Sequence, residues 1–290
     1  MNNKYDLCVI FRCYPWISKT PRLFSDSKSN MIFYSLKSLK LFLWNLKVFY
    51  IIICDWCAEE IILSINKALQ GSDFAIHEFE KLWNFSSFQK QLDIAIWQTY
   101  SKNIYLCEDD YLYDYNNYLM SIDAINLLIQ KKSHYITFFD FPGNYNIWNI
   151  HHYFRKKLFI SDANFLWATW LSTTLTFLTT REILIEDQKY RRKFGRFPYW
   201  IWGGPIRMIL TKQLPLFYIF DFNKKKQEYI KWIPVSRIYL WMCLIYWLIR
   251  ILVGSKRILL YPVPSWSTHL EGSDVAHNVS RENIAKGLNN

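Results

Sequence analysis

Hydrophobic and polar positions alternate along the first third of the chain in blocks that predict strand, helix, strand, helix. Short apolar runs rich in β-branched and aromatic residues predict strands at Leu7–Phe11, Val48–Cys54, Phe74–Phe79 and Ile104–Cys107. Longer segments with apolar residues at helical spacing predict helices at Lys28–Leu46, at Ala58–Leu69 and from Asn84 to about Tyr100, with Ser86 or Ser87 as N-cap of the last. This order predicts a parallel α/β sheet that is buried on both faces.

The pattern continues less regularly in the rest of the chain. We predict a helix at Tyr118–Gln130, a strand at His134–Phe139, a half-exposed strand at Ser172–Thr180 and a last strand from Leu259 that leads into a proline-fixed loop ending near Glu271. The basic run Lys189–Arg196 suits a solvated helix face better than a phosphate contact. Beyond Gly272 the chain turns polar, and residues 273–290 are expected to form a loose tail.

Ile238–Val253 is almost wholly apolar and aromatic, interrupted only by Arg250. This run is shorter than the roughly 20 residues that a membrane span needs. Lys256 and Arg257 follow it, and this combination suits a helix that lies in a membrane interface and is attracted to anionic lipid. A buried core helix explains the same pattern equally well.

The amino-acid composition restricts the class of protein to which this chain can belong. The chain has 290 residues, of which 51% are hydrophobic and 19% aromatic, so it can build a large core and is not disordered. The formal net charge of +11 favours an anionic partner, although a lysine-rich composition without a specific role explains it nearly as well. No secretory signal is visible, and six cysteines, several of them inside apolar runs, suit a reducing cytosol. Cys54 and Cys57 have redox spacing, but without a second pair or a thioredoxin-like context buried packing is the favoured interpretation.

Charged residues end several of the predicted strands. Glu108, Asp109 and Asp110 follow the fourth strand directly, and Arg12 and Asp55 follow the first and second. Because the carboxyl ends of parallel strands meet at one edge of the sheet, these residues are expected to lie together where ligands bind. Carboxylates in such a place suit Mg²⁺ or Mn²⁺ shared with substrate phosphates. The alternative is an acidic loop that caps a helix beginning at Asp114 or Asn116.

Four pieces of the chain carry a resemblance. These are Leu106-Cys-Glu-Asp-Asp-Tyr-Leu112, Phe139-Asp-Phe-Pro142, Trp170-Leu-Ser-Thr-Thr-Leu-Thr-Phe177 and Pro264-Ser-Trp-Ser-Thr-His-Leu-Glu271. With them the chain resembles nucleotide-sugar-dependent glycosyltransferases of the GT-A fold, and in particular bacterial glycosyltransferase-like proteins of surface-polysaccharide genes. The resemblance implies an α/β, GT-A-like single domain over residues 1–272, with a central, mostly parallel sheet flanked by helices and an apolar C-terminal helix. Residues 1–115 would form the nucleotide-binding half and 116–272 the acceptor half.

The resemblance also implies roles for site residues. Glu108 and Asp110 would stand in the Asp-x-Asp position, with Asp110 binding Mn²⁺ or Mg²⁺ and Glu108 supporting the ribose or a metal-bound water. Asp109, between them, is also expected to take part in binding the donor. His269 would complete the metal site, although a loop histidine satisfied by Glu271 is the alternative. Arg12 and Asp55 would contact a nucleotide-sugar donor, which we expect to be UDP-linked. An Asp at this position can also act only as a helix cap.

One departure from the family concerns the catalytic base. Inverting enzymes of this fold place a carboxylate near the start of a helix in the second half, whereas Pro198–Arg207 has no Asp or Glu. Asp140 or Asp162 could substitute; otherwise the enzyme is retaining or inactive.

The favoured function is therefore metal-dependent transfer of a sugar to a bacterial surface glycan or lipid-linked acceptor. The alternative is a catalytically inactive partner in a polysaccharide assembly complex. A cytoplasmic location, with peripheral contact with an anionic membrane, is expected. Nucleic acid is not expected as a partner, because no recognised binding motif is present.

Overall fold

The computed structural model describes residues 4–16, 23–24, 27–139, 158–170, 175–194, 257–270 and 279–289. Its strands are β1 Leu7–Cys13, β2 Val48–Asp55, β3 Asp73–Phe79, β4 Asn103–Glu108, β5 Tyr111–Tyr113, β6 Tyr135–Ile136, β7 Leu158–Ile160, β8 Leu166–Trp170, β9 Phe177–Thr180, β10 Leu259–Pro262 and β11 Ser267–His269. Its helices are α1 Lys28–Phe42, α2 Glu59–Ala68, α3 Trp83–Trp97, α4 Leu119–Ile129, α5 Arg181–Phe194 and α6 Arg281–Asn289, with a 3₁₀ turn at Tyr115–Asn117.

Nine of these strands form one sheet in the order β3-β2-β1-β4-β9-β6-β10-β8-β7. Strands β3, β2, β1 and β4 are parallel, and β9 and β8 run against the other seven. The prediction of an α/β fold with a central, mostly parallel sheet flanked by helices is confirmed. Because β9 pairs with β4, the two predicted halves of the domain share this sheet.

The sheet is buried on both faces, as the continuous apolar runs predict. Every residue of β1 is buried, and its alternate side chains enter two different hydrophobic clusters. Val9 and Phe11 pack in the cluster that includes residues of α1, α2 and α4, whereas Cys8 and Ile10 pack with residues of α3. The strand therefore fixes its own register, since a shift by one residue would exchange the two sets.

Some element boundaries differ from the predictions. Helix α3 begins at Trp83, so the predicted N-cap at Ser86 or Ser87 is wrong; Ser87 is buried inside the helix. The predicted strand at His134–Phe139 is reduced to Tyr135–Ile136. Residues 171–174 lie outside the described residues, and β9, which follows them, is buried rather than half-exposed because it lies between β4 and β6.

The prediction of a loose polar tail is wrong for residues 279–289. Helix α6 presents Ile284 and Leu288, both buried, to the core cluster. Its carbonyl oxygen at Leu288 accepts a hydrogen bond from the Lys37 side chain on α1. Gly287 lies so close to Tyr115 that a Cβ added there would be 2.1 Å from the tyrosine hydroxyl oxygen. A few apolar residues on one face are sufficient to pack an otherwise polar helix against the core. The polar residues around them make this face hard to recognise in the sequence.

The apolar run at Ile238–Val253 lies outside the described residues, and so does its predicted helix. Among the helices that the structure does describe, none is both long and apolar enough to cross a membrane.

If α6 is part of the fold, Leu288→Ala will lower the free energy of unfolding by about 2–4 kcal/mol, because it leaves a cavity beside α1. Leu288 is 1% exposed. Urea denaturation followed by circular dichroism measures the change. Lys286→Ala, at an exposed position of the same helix, is the control and should change stability by less than about 0.5 kcal/mol. Equal, small effects of both substitutions would restore the loose-tail interpretation.

Candidate active site

The acidic triplet lies at the carboxyl end of β4, beside the ends of β1 and β2. Strand β4 pairs in parallel with β1 so that Glu108 lies opposite Arg12. Strand β1 pairs in parallel with β2, which ends at Asp55. The three strand ends therefore form one edge, as the sequence predicts, and each carboxylate of the triplet meets a different basic side chain there.

Glu108 is held by Arg12. The guanidinium group donates a hydrogen bond to Glu108 Oε1 and another to the Tyr14 hydroxyl oxygen at 2.7 Å, and it also lies over the ring of Phe88. Arg12 is fully buried, whereas the side chain of Glu108 is 22% exposed, so a ligand meets Glu108 before it meets Arg12. Burial raises the pKa of Glu108 above its ordinary value, opposed by the charge of Arg12 and reinforced by that of Asp110.

Asp109 faces inward and joins two neighbouring segments. Its Oδ2 accepts a hydrogen bond from the Tyr14 backbone N–H at 2.9 Å and forms an ion pair with Lys28 Nζ at 2.9 Å. Lys28 is the first residue of α1, and both side chains of the pair are more than nine-tenths buried. Burial raises the pKa of Asp109, and the charge of Lys28 opposes this shift. These contacts attach the chain after β1 and the start of α1 to the end of β4.

Asp110 contacts His269, which comes from the far end of the chain. Strand β11 pairs antiparallel with β5 and places His269 opposite Tyr111, and the Leu270 N–H donates to the Asp110 carbonyl oxygen at 2.6 Å. His269 Nε2 then lies 3.0 Å from Asp110 Oδ2. Burial alone would raise the pKa of Asp110, but the charge and hydrogen bond of His269 outweigh it, and the net pKa lies below the usual value.

The Asp110–His269 pair has features of a divalent-cation site. Asp110 Oδ1 is buried and has no hydrogen-bond partner, which is costly for a carboxylate oxygen unless something else binds it. His269 Nε2 lies 3.0 Å from the other oxygen, Oδ2, so the imidazole and the carboxylate reach the same point at the sheet edge. Within the described part of the chain, no three His, Cys, Asp or Glu side chains form a group that could hold a metal. These two residues thus fit an ion that takes its other ligands from phosphate or water.

The other predicted site residues lie in different surroundings. Asp55 is buried, and its Oδ1 accepts a hydrogen bond at 2.6 Å from the N–H of Leu82, the residue before α3. Asp162 lies on the turn between β7 and β8, where it pairs with Lys132 at 3.2 Å and bonds Gln130; Lys132 lowers its pKa. Its contacts are with the end of α4 and not with the acidic triplet. Asp140 lies outside the described residues.

Lys28 and Tyr14 were not predicted as site residues. Both belong to the chain between β1 and α1, and in the sequence Lys28 is merely the first residue of a helix that follows a polar loop. A buried lysine cannot be told from a solvated one by local pattern, because its partner Asp109 lies on another strand. A buried carboxylate inside a triplet implies a cation nearby, and this was the available signal.

Exposed aromatic rings lie at the same edge. Trp16 follows β1 and Trp56 follows β2, and their ring centroids are 5.4 Å apart in an edge-to-face arrangement. Lys81 Nζ lies 4.1 Å from the centroid of the Trp56 ring. Each of the two indoles is about half exposed, at 51% and 49%. Exposed aromatic rings together with the Lys81 ammonium group suit an anionic ligand that carries a planar ring.

Comparisons with known proteins find similarity to solved structures at low sequence identity. TarS from S. aureus (residues 1–349) is 15% identical with a TM-score of 0.41, and the match covers 63% of this chain and 49% of that chain. The same TarS fragment has been solved with UDP. This chain thus spans about half the length of the TarS fragment.

Two further structures are similar. The galactosyltransferase LgtC, solved with donor and acceptor sugar analogues, is 8% identical with a TM-score of 0.46 over 97% of this chain and 95% of that chain. HddC from Yersinia pseudotuberculosis is 14% identical with a TM-score of 0.36 over 62% and 79%. No protein-family model matches the sequence, and no curated protein does. Functional inference therefore rests on the residues of the site itself.

The Asp109–Lys28 pair gives a stability prediction. Lys28→Met leaves a buried carboxylate without its cation and should lower the free energy of unfolding by about 3–5 kcal/mol. Lys28→Met combined with Asp109→Asn should recover most of this loss, because the amide oxygen still accepts from the Tyr14 N–H. Denaturant titration of the single and double variants measures both changes.

The matched control is the exposed pair formed by Lys132 and Asp162. Lys132→Met should change stability by less than about 1 kcal/mol, because exposed ion pairs contribute little. A Lys28→Met variant as stable as this control would show that Asp109 does not hold α1 in place.

Proposed function

We propose that this protein is a metal-dependent glycosyltransferase with a GT-A-like fold, which transfers a sugar from a nucleotide-sugar donor, UDP-linked, to an acceptor. The observation that carries the proposal is the Asp110–His269 pair at the carboxyl edge of the sheet, with the unpartnered, buried Asp110 Oδ1. The four sequence pieces that resemble this family support it, since two of them contain Asp110 and His269.

The residues at this edge of the sheet would have different roles in catalysis. Asp110 and His269 would hold Mn²⁺ or Mg²⁺, which as a Lewis acid would stabilise the departing nucleoside diphosphate. Glu108, oriented by Arg12, is partly exposed and can accept hydrogen bonds from the donor ribose or from a water molecule. Asp109 would act indirectly: its ion pair with Lys28 would keep the start of α1 against the site.

The catalytic base is proposed to be Asp140, because Asp162 is engaged by Lys132 and Gln130 beside α4. A bacterial surface glycan or a lipid-linked oligosaccharide is proposed as the acceptor. Residues 238–253 and the net positive charge support a position at the cytoplasmic face of the membrane.

Donor hydrolysis tests the proposal. The purified protein is incubated with a panel of nucleotide-sugars and Mn²⁺ or EDTA, and released nucleoside diphosphate is measured. We expect release from one donor with Mn²⁺ only, and a loss of about a hundredfold or more in Asp110→Ala, since the ion supplies several kcal/mol of charge stabilisation.

Asp162→Ala is the control for this experiment, because it removes a carboxylate that the structure places beside α4, and it should retain release. If no donor is hydrolysed and no nucleotide shifts the melting temperature with Mn²⁺, the enzyme proposal fails and the non-catalytic assembly partner takes its place.

The aromatic edge gives a second test. Trp56→Ala should weaken UDP binding by about 1–3 kcal/mol, the contribution of one base stacked on an aromatic ring. Isothermal titration calorimetry with UDP and Mn²⁺ measures it. Trp97→Ala is the matched control, because Trp97 is also exposed but ends α3. Equal affinities of the two variants would remove Trp56 from the nucleotide site.

A further inference from the structure

Three thiols cluster at the edge of the sheet, on the side chains of Cys13, Cys54 and Cys57. Cys13 ends β1 and lies directly opposite Cys54 on the parallel neighbour β2. Cys13 and Cys54 belong to the same buried hydrophobic cluster, and Cys57 packs against that cluster. The Cys57 Sγ also lies 4.0 Å from the Cys13 carbonyl oxygen. The proposed glycosyl transfer uses none of these sulfur atoms.

The turn between Cys54 and Cys57 has an uncommon backbone. Trp56 has a φ of 59°, in the left-handed region that a bulky side chain rarely adopts. Its N–H donates to the Phe79 carbonyl oxygen at 2.7 Å, which holds the turn against the end of β3. The left-handed residue turns the chain directly after the strand, and Cys57 packs against the cluster that contains Cys54.

The three cysteines differ in their access to solvent. Cys13 and Cys54 are buried within strands, whereas Cys57 is partly exposed and lies beyond the end of β2. An oxidant from solution therefore meets Cys57 first, and Cys54, three residues earlier in the chain, lies in the cluster against which Cys57 packs. Cys-x-x-Cys spacing with a partly exposed first thiol and a buried second thiol suits a dithiol pair in which the first is attacked and the second resolves the mixed disulfide.

We propose that Cys54 and Cys57 form a reversible disulfide, with a small-molecule disulfide as the oxidant. The Cys57 thiolate attacks the small disulfide, forms a mixed disulfide and releases one thiolate, which takes up the proton that Cys57 lost. The Cys54 thiolate then attacks the Cys57 sulfur, closes the internal disulfide and releases the second thiolate. Two electrons pass from the protein to the oxidant, and two small thiols are the products.

Burial sets the rate of this reaction. It raises the pKa of Cys13 to about 11. For Cys57, the neighbouring Cys54 thiol and then burial hold the pKa far above its ordinary value. Because only the thiolate attacks, the pair reacts slowly at neutral pH and faster as pH rises. The disulfide would therefore form only under sustained oxidation. It would constrain the turn that carries Asp55 and Trp56, because these two residues lie between the linked cysteines.

Thiol counting tests the proposal on the full chain with Cys243→Ser, which removes the cysteine outside the described residues. The protein is equilibrated in buffers of oxidised and reduced glutathione, quenched with acid, alkylated and analysed by intact mass and peptide mapping. We expect the loss of two alkylatable thiols, a Cys54–Cys57 linkage in the peptide map, recovery with dithiothreitol and faster pairing at pH 9 than at pH 7.

Three variants make the result specific. Cys57→Ser should abolish the internal pairing, whereas Cys13→Ser should keep it. Cys8→Ser is the matched control, because Cys8 is a buried cysteine of the same strand whose side chain packs in the other hydrophobic cluster; it should also keep the pairing. A linkage between Cys13 and Cys54, a glutathione adduct on Cys57 that does not resolve, or five unchanged thiols would each overturn the proposal. None of these outcomes depends on whether the protein transfers sugar.

Discussion

The structure depends on how three consecutive carboxylates are neutralised at the end of one buried strand. Burying unpaired charge is costly, so the triplet can exist only where cations reach it. Each carboxylate receives its partner from a different segment: Glu108 from β1, Asp109 from the start of α1, and Asp110 from β11. The triplet thereby connects β1, the start of α1 and β11 to the end of β4. It also leaves partly exposed carboxylates at the sheet edge.

The three adjacent carboxylates have different roles: one stabilises the fold, and the other two are available to a ligand. Asp109, in the turn directly after β4, faces inward, where Lys28 and the Tyr14 N–H satisfy it. Glu108 and Asp110 keep some exposure, at 22% and 18% of their side chains, and Asp110 keeps one oxygen without a hydrogen bond. The inward carboxylate holds the loop and helix that border the site, and the outer two remain available to a ligand.

Local pattern was sufficient for the parallel half of the sheet and insufficient for the elements added to it from a distance. The strands ending at Arg12, Asp55 and Glu108 follow from short apolar runs, and their common edge follows from parallel pairing. Helix α6 was missed because docking a few apolar residues depends on a partner surface on α1 that no local window contains. The pairing of His269 with Asp110 came from the resemblance to a family, because strand β11 has three residues and no pattern of its own.

The central claim is that a metal ion at Asp110 and His269 binds a nucleoside diphosphate at this edge. Anomalous X-ray scattering from crystals grown with UDP and Mn²⁺ tests it most directly. The account predicts a manganese peak in contact with the Asp110 carboxylate, the His269 imidazole and the diphosphate of bound UDP. A bound UDP with no manganese peak at this pair, or a peak at another group of residues, would contradict it.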